Sequence, residues 1–236
     1  YGPESIAVHI GTGRDNNDVI PRMAYCAFGT PNFSMGYLAG DSCFCPRSAS
    51  MASTNGDFMI ADMSQQFETR YDEESTEWRC PEVIVNWGCN AVVSNSDNFF
   101  GHWIVDCMQR GAKMITIDPG LTWLAARSDY WLRVRPGTDC ALAMAMIHVI
   151  AEEGLEDKDF VSKWCYGFDE LVERCEPWTP ERAAEVCWVD ADKIREAARM
   201  YANANNAAIQ WGLKVDQTTN ATATANAINA LWAITG

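Results

Sequence analysis

Apolar residues along this chain gather in short runs that end in polar turns marked by glycine or proline. Glu82-Val83-Ile84-Val85-Asn86-Trp87 leads into Gly88-Cys89-Asn90, and Lys113-Met114-Ile115-Thr116-Ile117 leads into Asp118-Pro119-Gly120. A third run, Tyr130-Trp131-Leu132-Arg133-Val134, leads into Arg135-Pro136-Gly137-Thr138-Asp139. Apolar runs of this length between turn residues predict buried strands. Between the first two, residues 98–110 place Phe99, Phe100, Trp103, Ile104, Cys107 and Met108 on one helical face, and Gly111 stops the pattern. After the third, Thr138 or Asp139 can cap a helix running to Glu152, with Leu142, Met146, Ile147 and Ile150 as its buried stripe.

The pattern continues on both sides. Residues 5–10 predict a buried strand that runs into Gly11-Thr12-Gly13, followed by a helix over 18–28 with Val19, Met23, Ala24 and Ala27 on one face. Residues 32–55 are rich in Gly, Ser, Met and Cys without a period, which predicts an irregular loop or short helix lining a site. Residues 65–79 are acidic and unpatterned and predict a surface excursion. Helices are predicted over 158–165, 168–175, 180–187 with Thr179 as cap, 191–203 with Asp190 as cap, and 219–234, with a strand over 207–211. Strands alternating with helices predict an α/β fold, a doubly wound, mostly parallel sheet in one domain over 1–236, carrying a helical extension over 155–204. In such sheets ligands sit outside the carboxyl ends of the strands, so the three turns above predict a nucleotide site.

Composition narrows the partners. The 236 residues, 48% apolar and 21% charged, suit a water-soluble core, and no run approaches a membrane span. A net charge of −14 without clustered Lys or Arg argues against nucleic acid and anionic membrane as partners. A buried anionic cofactor held by backbone N–H groups and a few Arg remains compatible. The start at Tyr1-Gly2-Pro3 and the end directly after a helical pattern predict a piece of a longer polypeptide. Ten cysteines include no Cys-x-x-Cys, which disfavours a cluster or zinc knuckle within this stretch. Reduced thiols are expected, with Cys26, Cys107 and Cys140 as small core residues of helices.

Gly11-Thr12-Gly13 has the context of a dinucleotide loop, but Asn16 stands where the fingerprint has its third Gly, which disfavours a simple NAD site. Asp118 and Asp139 can accept hydrogen bonds from a guanine edge or from ribose hydroxyls; equally, Asp118 can start a turn and Asp139 cap a helix. Cys43 and Cys45 flank Phe44 before Pro46, where a thiolate can face a metal or an electrophile. His9, His102 and His148 are separated and read as packed or surface residues. Walker, His-Glu-x-x-His and Gly-x-Ser-x-Gly motifs are absent.

In order and rough spacing, Gly11-Thr12-Gly13, the Cys43 loop, Trp87-Gly88-Cys89-Asn90, Ile117-Asp118-Pro119, Arg135-Pro136-Gly137-Thr138-Asp139, the stretch from Trp211 to Gln217, and Thr235-Gly236 resemble the dimethyl sulfoxide reductase family of molybdenum or tungsten enzymes. That family includes formate dehydrogenases, periplasmic nitrate reductases, polysulfide reductases and acetylene hydratase. The resemblance implies a Rossmann-like dinucleotide-binding domain that holds one of two molybdopterin guanine dinucleotides around Mo or W. It implies Cys43, three residues before Pro46, as metal ligand and catalytic residue. It further implies Arg14, Gly88, Cys89, Asn90, Ser94, Asp118, Pro119, Thr122, Gly137, Thr138, Asp139, Leu213 and Gln217 as cofactor-binding residues. A 4Fe-4S cluster before Tyr1, a further pterin-binding domain after Gly236, an iron-sulfur electron-transfer subunit and a small-molecule substrate belong to the same implication. So does a bacterial location, either cytoplasmic or exported behind a twin-arginine leader. Phe44, where formate dehydrogenases usually place His, speaks against formate oxidation, and Gly120 stands where many members have Arg. A non-redox tungsten hydratase, a hydroxyltransferase and a non-catalytic scaffold are the alternatives.

Overall fold

A computed structural model describes residues 1–10, 18–35, 45–57, 80–94 and 100–236. The chain divides into two compact units, Tyr1–Cys45 and Pro46–Gly236, where the pattern predicted one domain.

The first unit is a small β-α-β arrangement. Strands β1 (Val8–Ile10) and β2 (Phe33–Met35) pair in parallel with Val8 opposite Phe33, joined through a helical turn at Val19–Arg22 that widens into a π-turn at Met23–Ala27. Thr30 Oγ1 donates to Ile6 O at 2.7 Å and Asn32 Nδ2 to Glu4 O at 3.0 Å, which ties the return segment to the chain start. The predicted buried strand over 5–10 is corrected: Pro3–Ser5 forms a 3-10 turn, the strand begins at Val8, and only Ile10 is buried. In the helix Ala24 alone is buried, so Val19 and Met23 do not form a core face, and Cys26 is exposed rather than a core residue.

The second unit carries the main sheet. Its strands are β3 (Val83–Trp87), β4 (Lys113–Ile117), β5 (Tyr130–Leu132) and β6 (Ala207–Trp211), all parallel in the order β5-β4-β3-β6. β3 is central, and all five of its residues are buried, as a strand covered on both faces requires. Val83, Val85 and Trp87 face a core built with the helices Asp139–Glu153, Ala191–Ala202 and Ala221–Ala233. Ile84 faces the opposite core, where Ile104 and Cys107 of the helix Phe100–Gln109 meet Met114, Leu124 and Ala208. Helices thus cover both faces of the sheet, the doubly wound arrangement predicted from the alternation.

Local signals account for the element ends. Gly111 and Gly154 take positive φ where their helices stop. Asp157, Thr179 and Asp190 accept from backbone N–H groups at the starts of Lys158–Trp164, Pro180–Cys187 and Ala191–Ala202. The expected cap at Thr138 or Asp139 is not made: Thr138 Oγ1 donates to Arg135 O at 2.7 Å, and Asp139 is the first residue of its helix. The last helix, expected over 219–234, spans Ala221–Ala233, and a short helix at Leu213–Asp216 precedes it.

Of the irregular loop or short helix expected over 32–55, the described part shows a strand and a helix. β2 occupies its beginning and an eleven-residue helix, Cys45–Asn55, its end; residues 36–44, Cys43 among them, lie outside the described residues. The helix packs through polar atoms. Ser50 Oγ donates to Asn226 Oδ1, while Asn229 Nδ2 donates to Ser50 Oγ at 2.7 Å and to Thr54 Oγ1 at 3.3 Å. Near its start Arg47 clasps Asp216: Nε donates to Oδ2 at 2.8 Å, the backbone N to Oδ1 at 3.1 Å, and NH2 closes the ion pair. Arg47 NH1 also donates to Trp211 O at 3.1 Å. Asp216 is 1% exposed, so removing its cation would leave a buried unpaired charge. Arg47→Ala is therefore expected to destabilise the second unit by about 3–5 kcal/mol in urea unfolding, against at most about 1 kcal/mol for Arg199→Ala, whose pair with Glu153 is exposed.

Candidate functional site at the carboxyl edge of the main sheet

The order β5-β4-β3-β6 reverses direction at β3: β4 and β5 step away on one side, and β6 returns on the other. At such a reversal the connections leave to opposite faces and open a crevice beyond the carboxyl ends of the two strands. Here that switch point, the candidate crevice, falls between Gly88-Cys89-Asn90 after β3 and Gly212-Leu213-Lys214 after β6.

Two glycines set how near these turns come. A methyl group added to Gly212 would stand 2.4 Å from Gly88 O and 2.7 Å from Cys89 Cβ, so only a hydrogen fits there. Gly88 has φ 58°, and an added Cβ would meet Lys214 Cβ at 3.3 Å. Gly212 N donates to Trp87 O and Gly88 N to Ile117 O, both at 2.8 Å, which continues the ladder into the turns.

Beneath the turns lies a polar floor. Asn86 and Gln210 are register partners on the side of the sheet shared with Ile84. Asn86 Nδ2 donates to Cys89 O at 2.7 Å and Gln210 Nε2 to Cys89 Sγ at 3.1 Å, fixing Cys89 from below. Burial pushes the Cys89 thiol pKa up, outweighing the Gln210 bond and the charge of Arg47. Cys89 is therefore a neutral thiol at neutral pH. Asn86 Oδ1, Asn90 Oδ1 and Gln210 Oε1 are buried acceptors that meet no donor among the described residues. An orphan acceptor costs about 1–3 kcal/mol unless something donates to it.

The other expected residues fall on the same edge. Asp118 Oδ1 accepts from Gly120 N at 2.8 Å, the turn-starting role, and its backbone O accepts from Trp131 Nε1 at 2.9 Å. Pro119 is exposed in that turn, and Thr122 Oγ1 accepts from Ala125 N at 3.1 Å. Gly137, with φ 85°, turns the chain into Thr138 and Asp139 after β5. Asp139 points inward: it is 9% exposed, and its Oδ1 accepts from Trp87 Nε1 at 2.8 Å. Burial raises its pKa, opposed by the Trp87 bond and by backbone donors. It braces the loop from inside. Ser94 Oγ donates to Asn90 O at 2.9 Å, and Leu213 and Gln217 are exposed on the far side of the crevice. Arg14 and Cys43 lie outside the described residues, and among those described no cluster of three or more His, Cys, Asp or Glu could hold a metal.

Three further contributors belong to no motif of the sequence. Asn86 and Gln210 were readable as lone polar side chains inside otherwise apolar strands. Arg47 was not, because its partner Asp216 is 169 positions away. A cavity of about 700 Å³ opens at the amino edge instead, between Glu82, Lys113 and Arg199, away from these turns.

Chemically, the edge offers acceptors: Asn90 Oδ1, the Asp118 carboxylate and backbone carbonyls. Hydroxyl, amino and ring N–H groups match it. A purine or pterin edge with sugar hydroxyls therefore suits the orphan at Asn90.

The family model for molybdopterin oxidoreductase matches residues 36–236. Acetylene hydratase of Syntrophotalea acetylenica is 43% identical over 129 residues, 55% of this chain and 18% of its own length. Formate dehydrogenase H of Escherichia coli (strain K12) is 30% identical over 239 residues, 100% of this chain and 31% of its own. The solved acetylene hydratase of Pelobacter acetylenicus superposes with a TM-score of 0.76 at 30% identity, covering 100% of this chain and 30% of that one. The chain thus spans under a third of the length of these relatives.

Asp139→Asn keeps an acceptor for Trp87 and removes the buried charge. Because the folded pKa is raised, the stability tied to the protonated carboxyl is complete below the ordinary aspartate range and is lost as pH rises through the raised value. Thermal melts from acid to neutral pH are expected to show this loss in the wild type and not in Asp139→Asn, which melts higher at pH 7. Asp139→Ala strands the Trp87 N–H and should cost about 1–3 kcal/mol at acid pH, where the wild-type carboxyl is protonated, and less as pH rises through the raised value.

Proposed function

This chain belongs to the molybdopterin oxidoreductase family, and from that premise we propose that it is the dinucleotide-holding α/β domain of a catalytic subunit that uses Mo or W as a bis(molybdopterin guanine dinucleotide) complex. The observation that carries the reading is the shared edge. Asn90 with its orphan acceptor, Asp118, the Gly137–Thr138 turn and the Leu213–Gln217 segment share one carboxyl edge, at the reversal of strand order and beside glycines that permit backbone contact.

When bound, such a group supplies a metal that exchanges two electrons or an oxygen atom with a small substrate. The chain's own part is to bind and orient. Asn90 Oδ1 and the Asp118 carboxylate accept from the guanosine, Thr122 and Thr138 border it, and Gly88 and Gly212 hold the two turns together beside it. Leu213 and Gln217 face the pterin side. Cys89 stays protonated and packs beneath. Cys43 supplies the metal ligand, with Arg14 near the cofactor, and a soft thiolate suits Mo or W bound to sulfur. In the parent protein electrons would pass through a 4Fe-4S cluster to an iron-sulfur partner subunit.

A second reading is favoured by acetylene hydratase being a close relative in both sequence and structure. The parent would then add water to a small unsaturated substrate with no net electron flow. Turnover that requires an external electron acceptor or donor supports the redox reading, and turnover that proceeds without one supports the hydratase.

Metal, pterin and nucleotide analysis of the full-length protein tests the reading. Loaded wild type is expected to carry Mo or W with a guanine nucleotide, and Cys43→Ser to lose most turnover with an altered metal spectrum; unchanged activity and spectrum defeat the ligand assignment. Asp118→Asn weakens a charge-assisted bond, so GDP affinity measured by equilibrium dialysis should fall by about 10- to 100-fold. Gly212→Ala forces the two turns apart, and the full-length variant is expected to purify with little pterin.

A further inference from the structure

Trp188 is the sole non-glycine among the described residues with a positive φ, 62°. It ends the Pro180–Cys187 helix in the left-handed conformation, a position that glycine fills at no steric cost and a bulky aromatic does not. Burial does not compensate, since 69% of Trp188 is exposed. A strained residue persists where its surroundings impose it, and such residues gather at ligand contacts.

The indole is nonetheless held in place. The Arg135 guanidinium lies over one face, 4.8 Å from the ring centroid. Arg135 N donates to Cys187 O at 2.8 Å, and Cys187 Sγ lies 3.4 Å from Thr138 O. Three links therefore fasten the end of the Pro180–Cys187 helix to the loop that leaves β5 toward the candidate crevice, while the exposed ring surface stays open.

We propose that Trp188 is a stacking wall for the nucleobase bound at this carboxyl edge, with Arg135 backing the ring on its other face. The proposal rests on the nucleotide reading above and adds a residue that binds through a π-face rather than through hydrogen bonds. Every base offers such a face, so the wall contributes affinity without choosing the base. The choice stays with acceptors such as Asp118.

Substitution by glycine separates this role from a structural one, because the two move in opposite directions. Trp188→Gly relieves the left-handed strain and is expected to raise the melting temperature of the ligand-free chain by about 2–4 °C. The same variant should bind GDP and ADP more weakly by about 5- to 100-fold, equally for both, in equilibrium dialysis. Trp188→Phe should keep most of the affinity, and Asp118→Asn should lose GDP selectively. In cofactor-loaded full-length protein, guanine nucleotide released by acid should fall with Trp188→Gly, which distinguishes the tail of a dinucleotide cofactor from a free nucleotide. GDP affinity unchanged in Trp188→Gly overturns the wall and leaves the site reading standing. A wild type that binds no GDP overturns both.

Discussion

The meeting of two backbones at Gly88 and Gly212 is the constraint on which the rest of the main sheet depends. β3 and β6 are already held at hydrogen-bonding distance by their ladder, and Gly212 N extends that ladder by donating to Trp87 O. With a hydrogen as its only side chain, Gly212 lets the turn after β6 lie directly on Gly88 O and Cys89. Without that contact the polar floor of Asn86 and Gln210 would lose the roof that Cys89 forms over it, and the Leu213–Gln217 segment would not stand opposite Asn90. A single close approach thus fixes the distance between the two walls of the crevice.

That crevice is acceptor-rich at its rim and neutral beneath. Cys89 is kept protonated by burial, and Asp139 is drawn inward by Trp87, so neither presents an anion to the mouth. A chain with net charge −14 can in this way offer its sheet edge to a ligand that itself carries phosphate. The acidic groups that remain near the edge are either committed to turns, as Asp118 Oδ1 is to Gly120, or neutralised inside, as Asp216 is by Arg47. Placement rather than composition decides the local field.

Much of the main sheet was legible because its signals are local. The runs at 113–117 and 207–211 are bounded by turn or polar residues, and the helices after Asp157, Thr179 and Asp190 begin with side chains that accept from their own first turns. The turns that make the carboxyl edge were legible for the same reason, since each strand announces its end. What was not legible depends on partners far apart in sequence. The helix Cys45–Asn55 buries Met51 in the core but otherwise packs by hydroxyl and amide groups, so its apolar period is weak. The inward turn of Asp139 depends on Trp87, 52 positions earlier. The neighbourhood of β3 and β6, which creates the crevice, is a topological fact that no window of sequence contains.

The seam between Cys45–Asn55 and Ala221–Ala233 has a consequence for precision. Apolar surfaces attract without direction and tolerate sliding by a fraction of a turn, whereas Ser50, Thr54, Asn226 and Asn229 engage through atoms that must align. Together with the Arg47 clasp on Asp216, this keys the helix against both rotation about its axis and translation along it. Like a spline in a shaft, the joint has one seating, and a Leu-for-Asn exchange would keep the two helices together while giving back the play that the polar teeth remove.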